Sequence, residues 1–242
     1  METSVRTHSP YSPGTVSMEV SENTLRKYSL AAGVFYLLTF VSIPTLSLYR
    51  AVRAPGFVAG PGPDTPVIVG VLLEMIVALT GIGTAVALYP VVRRQGHARA
   101  VGFVASRTLE AATIYVGIVS LMSIVSLRRA GAGAAALLVT QGLAAQYQWT
   151  FFFAQSFIPA VNGVLLGTLL YQSKLVPRWL PVLGLIGAAL LVACWCGVLV
   201  GLIDAISPVA ALSALPIAVW EFSLGVYLTF WGFRASPLTA GL

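Results

Sequence analysis

The chain has 242 residues, 57% of them hydrophobic and only 9% charged, and its mean hydropathy is +0.88. Soluble domains carry about 25% charged residues to cover their surface, so this composition excludes an ordinary water-soluble protein and points to lipid as the main solvent. The net charge is +6, but the basic residues flank apolar runs and form no single patch, which makes them a topology signal and argues against nucleic acid as a partner.

Residues 1–27 are polar and rich in Ser, Thr and Pro, and they read as a disordered cytoplasmic tail. Arg26 and Lys27 stand before the first apolar run, 28–48. That run resembles a signal peptide with a positive start, but five more spans follow it, so it reads as an uncleaved anchor. The remaining spans are predicted at about 66–92, 100–127, 144–171, 179–203 and 208–233. Thr65 before Pro66 and Ser207 before Pro208 look like helix starts, a capping side chain followed by proline in the first turn. Residues 28–234 thus form one transmembrane domain, followed by a short cytoplasmic tail, 235–242. The expected fold is an all-α polytopic membrane protein, a six-transmembrane-helix bundle.

Orientation follows from the basic residues. Arg6, Arg26, Lys27, Arg93, Arg94, Arg99, Lys174, Arg178 and Arg234 lie on one side; Arg50, Arg53, Arg128 and Arg129 lie on the other. The positive-inside rule then puts both termini in the cytoplasm. Helical spans without a barrel pattern assign the chain to a bacterial cytoplasmic (inner) membrane, with membrane lipids as its surroundings.

The spans carry polar residues that lipid disfavours: Glu74, Arg107, Glu110, Gln148, Gln155, Asn162 and Glu221. A charge at a bilayer centre costs about 2.5–3.5 kcal/mol on insertion scales. Depth is read by counting from each helix's basic landmark at a rise of about 1.5 Å per residue. Arg107 then lies about 12 Å in, Glu110 about 16 Å, Asn162 about 18 Å and Glu221 about 20 Å. Glu74 and Gln155 both come out at about 28 Å, nearer the outer face. Four polar groups from three helices therefore share one layer.

Arg107 and Glu110 are three apart and share a helix face, so they are expected to pair. That leaves Glu74 and Glu221 without a basic partner, unless two carboxyls share Arg107. A carboxyl buried alone keeps its proton, so at least one neutral glutamate is expected. In the fourth helix Gln141, Gln148, Gln155 and Asn162 recur every seven residues, which reads as an amide stripe along one face. Pro159 and Pro216 deprive the carbonyls of Gln155 and Leu212 of a donor and predict two kinks. Together these features suggest a cavity open to the outside.

The plain alternative is that Arg107–Glu110 is a structural latch and the amides are interhelical glue. Gly163 and Gly167, and Gly197 and Gly201, have GxxxG spacing and are read as close packing. The first pair should meet Gly184, Gly187 and Ala188 of the fifth helix. Cys194 and Cys196 are read as packing residues. With no histidine in any span, His-based zinc, haem and Ser-His chemistry lack parts. A carboxylate-only metal site from Glu74, Glu110 and Glu221 lacks any ligand-pair motif. No metal and no cofactor are expected.

The phrases AGVFYLLTFVSIP, GIGTAVALYPVVRR, VASRTLEAATI, VNGVLLGTLLYQSKLVPRWLPVLGLIGA and LPIAVWEFSLGVYLTFWGF resemble the bacterial integral membrane family catalogued as domain of unknown function 4386. The resemblance covers about residues 28–234. It implies that an RxxE, an Asn-Gly and a Trp-Glu are the recurring polar elements, here Arg107, Glu110, Asn162, Gly163, Trp220 and Glu221. It implies a fold and a site but no activity. The residues leave three readings open: binding or transport of a small-molecule or lipid-like ligand, with a homodimer compensating for the small size; a membrane-embedded enzyme on a lipid or isoprenoid; and a non-catalytic partner or sensor subunit.

Overall fold

The computed structural model describes residues 13–54, 56–205 and 207–239, with side chains from residue 23 onward. Among these residues the secondary structure is helical, and six helices are long and apolar enough to cross a membrane. They are Asn23–Leu48, Thr65–Val92, His97–Arg129, Gly133–Ser173, Trp179–Leu199 and Pro208–Phe230. The first helix starts at Pro13, so residues 13–27, expected as a mobile tail, are helical; residues 1–12 lie outside the described residues.

Each helix packs against the next in chain order, and the sixth returns to the first, so the bundle is a closed ring. Glycines make the closure possible. A methyl group at Gly33 would stand 2.4 Å from the Thr229 hydroxyl, and one at Gly225 would stand 3.0 Å from Cβ of Tyr36. The first and sixth helices thus approach almost backbone to backbone, the use lipid-embedded helices commonly make of small residues. Gly163 and Gly167 bring the fourth and fifth helices together, meeting Gly184 and Ala188 as expected and also Leu185, whereas Gly187 packs against Ile217 of the sixth helix.

The second GxxxG pair works differently. Gly201 has φ +76°, a left-handed conformation that L side chains disfavour. Its N–H bonds the carbonyl of Val198, and the N–H of Leu202 bonds that of Gly197. This is the Schellman arrangement that ends helices. The fifth span therefore stops at Leu199, short of the predicted residue 203. Cys194 is buried but Cys196 is exposed, so only the first is a packing residue within the bundle.

Ser207 caps the sixth helix as expected, accepting from the N–H of Ala210. At the second helix the cap position is Asp64, not Thr65. The carboxylate of Asp64 is instead gripped by Arg128 and Arg129 from the end of the third helix. The Arg128 guanidinium also lies 4.0 Å over the Phe57 ring. This clamp ties the connection before the second helix to the far end of the third.

The largest apolar cluster fills the half of the ring that carries both termini, around Tyr36, Leu88, Phe103, Leu166, Leu180 and Trp220. Two smaller clusters occupy the other half, around Tyr49, Leu121 and Tyr147 and around Val77, Ala111 and Ile114. The turn bearing Arg107 and Glu110 falls between Phe103 of the large cluster and Ala111 of a small one.

Two outcomes follow. A methyl group at Gly184 would stand 2.5 Å from the Trp220 ring, so Gly184→Ala should cost about 1–3 kcal/mol, read as a lowered melting point in detergent. The hydrogen bond from Arg129, with Arg128 beside it, holds the Asp64 carboxyl below the ordinary carboxylate range. Its stabilisation is therefore present above the unfolded value of about 3.9 and is lost as pH falls through the folded one. The melting-point advantage of wild type over Asp64→Asn should accordingly exist at pH 7, shrink with added salt, and vanish on acidification.

Candidate functional site

Helical rise alone predicts a shared layer for four polar residues, and their contacts show which atoms meet. Nη1 of Arg107 donates to Oε2 of Glu110 at 3.0 Å, and Nη2 donates to Oε1 of Glu221 at 2.6 Å. Nδ2 of Asn162 donates to the same Oε2 of Glu110 at 2.7 Å. The third, fourth and sixth helices are thus tied by one hydrogen-bonded chain, Asn162–Glu110–Arg107–Glu221.

Burial makes these bonds consequential. Arg107 is 3% exposed, Glu110 8% and Asn162 0%. Charge-assisted hydrogen bonds are about twice as strong as neutral ones, and each ion buried without them costs several kcal/mol. The Arg107 guanidinium also lies 5.4 Å from the Tyr36 ring and 5.7 Å from that of Phe103. Gly81 on the second helix leaves space beside Cδ of the arginine. Small and aromatic residues from the first three helices therefore hold the side chain in place.

Of the two expectations for Glu221, the structure has the shared one: it pairs with Arg107 alongside Glu110. One guanidinium faces two carboxyls. Three further buried atoms around it, Nε of Arg107, Oδ1 of Asn162 and the Tyr36 hydroxyl, have no well-aligned hydrogen bond among the described residues. Most buried polar groups are partnered, so three together mark a place where a further polar species would fit.

Glu74 does not join this layer. Its Oε1 accepts from the Tyr147 hydroxyl at 2.8 Å. The Tyr147 ring meets Tyr49 edge-on, with centroids 5.4 Å apart. Gln155 lines the same small cavity as Glu74, although it is an exposed residue. Gln148 is exposed and joins neither group.

The amide stripe fails for a definite reason. Residues Phe153–Phe157 form a π-helical turn, which accommodates one extra residue. Before it Thr140 and Tyr147 are buried seven apart, and Ala154 inside it keeps that spacing; the buried polar residue after it is Asn162, one position later than a further seven predicts. The turn rotates the two halves of the helix by one position. Gln141, Gln148 and Gln155 are exposed, Gln155 at the rim of the Glu74 cavity, while Asn162 is buried.

Tyr147, Tyr49 and Tyr36 were not singled out from the sequence. A tyrosine in an apolar run is compatible with core or interface, and only the polar end of its ring hints at a buried partner. Among the described residues no group of three or more His, Cys, Asp or Glu is placed to hold a metal ion.

No curated protein and no solved structure matches the chain. The family model described as "Domain of unknown function (DUF4386)" matches residues 31–232, which include all six spans in whole or in large part and every residue of the Asn162–Glu110–Arg107–Glu221 chain. By that match the protein belongs to the family of the domain of unknown function DUF4386.

Proposed function

We propose that the protein binds or transports a small or lipid-like ligand at the Arg107–Glu110–Asn162–Glu221 layer, and that this ligand is cationic or moves together with a proton. One observation carries the reading: both terminal nitrogens of Arg107 are committed to two different carboxyls. With both glutamates ionised the layer holds one unmatched negative charge, which is expensive in a low-dielectric interior. A proton or a positively charged ligand restores the balance, and the two can exchange.

The same geometry disfavours a grip on an anionic headgroup. Bidentate recognition of phosphate needs a free guanidinium fork, and here only Nε of Arg107 lacks a partner. That weakens the reading as an enzyme acting on a phosphorylated lipid. In the proposed mechanism Glu221, whose side chain is the more exposed of the two carboxylates, exchanges the proton. Arg107 sets which carboxyl is available, and Asn162 holds Glu110 in place. The setting we propose is the bacterial cytoplasmic membrane with both termini inside.

Paired substitutions test this. Glu221→Gln leaves Arg107 and Glu110 as a balanced pair, so the melting point in detergent should stay within a few degrees of wild type from pH 5 to 8. Proton movement into pyranine-loaded vesicles should be lost. Arg107→Met leaves two carboxyls unmatched and should cost about 3–5 kcal/mol of stability. A large loss of stability for Glu221→Gln at every pH would instead make the layer a lock, and a non-catalytic partner subunit would become the leading reading.

A further inference from the structure

Glu74 sits about two helical turns beyond the central layer, against a cavity that the network above does not use. It is 7% exposed and forms no ion pair among the described residues. Its Oε1 is held by Tyr147; Oε2 has no well-aligned hydrogen bond among the described residues, with the Tyr49 hydroxyl close to the same carboxyl. Beside it is a cavity of about 10 Å³, lined by Ser42, Thr150, Tyr147 and Gln155 together with Val77 and Ile114. That is room for one particle the size of a water molecule.

The hydroxyls around the cavity are already oriented. Thr150 donates its hydrogen to the carbonyl of Tyr147, Ser42 to that of Thr39 at the limit of hydrogen-bond length, and Tyr147 to Glu74 itself. With their hydrogens directed elsewhere, these groups have only lone pairs left to offer. Arg53 directs its guanidinium to the carbonyls of Tyr49 and Leu46. The π turn contributes Ala154 and Gln155 to the same wall. In an otherwise apolar space, the oxygens of Ser42, Glu74, Tyr147, Thr150 and Gln155, one of them a carboxylate's, suit a hard cation. One carboxylate balances one positive charge, so a monovalent ion fits better than a divalent one. K⁺ would also fit a water-sized space, but a carboxylate is a strong-field ligand and favours the smaller Na⁺. Gln155, exposed at the rim, marks the way in.

We infer that the Glu74 cavity is a binding site for a single Na⁺-sized monovalent cation, held by Oε2 of Glu74 with oxygens of Ser42, Thr150 and Gln155. It is separate from the central layer and does not depend on the function proposed for it.

The test is the melting point of the full-length protein in detergent, titrated with NaCl, KCl or choline chloride at constant ionic strength. Na⁺ should raise it by a few degrees over choline, with K⁺ weaker. Glu74→Gln should abolish the Na⁺ response. Thr150→Val, which keeps the shape and removes one oxygen, should fold normally and shift the midpoint to about tenfold higher Na⁺. Glu221→Gln should leave the response intact, so failure here is distinguishable from failure of the central proposal. Equal melting points in Na⁺ and choline would overturn the inference, as would a preference for K⁺ or a response that survives Glu74→Gln.

Discussion

The bundle is organised around one guanidinium. In water an arginine between two glutamates is unremarkable and contributes little. Inside a ring of apolar helices it decides what can sit next to what. Arg107 reaches Glu110 on its own helix and Glu221 on the sixth, and Glu110 reaches Asn162 on the fourth. No other described ion pair joins residues within the spans. The apolar clusters on either side supply most of the packing, but they are non-directional. Directional bonds at one depth restrict how those helices can rotate about their axes, which packing of leucine against leucine leaves loosely determined.

Much of this was legible before any coordinates. Depth was legible because helical rise is nearly constant, so counting from Arg99, Lys174 and Arg234 placed four groups at one level. Span number was legible because apolar runs of about 20 residues have little other use. Rotation was not. The partner of Glu221 depends on which way the sixth helix faces, and two neighbouring polar residues can point to opposite sides. The heptad of amides in the fourth helix misled because a repeat assumes unbroken winding. A single π turn invalidates it without leaving a clear mark in the residues concerned. Pro159 was the nearest signal, since a residue that cannot donate makes a local rewinding cheaper.

The two polar groups differ in how they meet the same constraint. The central one is built from charged partners and is nearly complete within the chain. The Glu74 group pairs a carboxyl with tyrosine hydroxyls and aromatic edges, and one of its oxygens has no well-aligned hydrogen bond among the described residues. The π turn relates them, because it rotates the second half of the fourth helix so that Tyr147 serves one group and Asn162 the other. Without that rewinding, position 161 would face inward where Asn162 now does, and it is a valine.

The closed ring has a consequence for how the chain is made. Helices enter a membrane in the order of synthesis, and the last must settle against the first. Arg107 and Glu110 arrive together, three residues apart on one helix, so they can enter lipid as a balanced pair. Glu221 follows 114 residues after Arg107. Until then the nascent bundle is open along the first helix, and its central layer carries no surplus acid. The final helix therefore delivers the ring's last wall and its second carboxyl in a single event. Closure and the creation of the charged centre are one step of biogenesis.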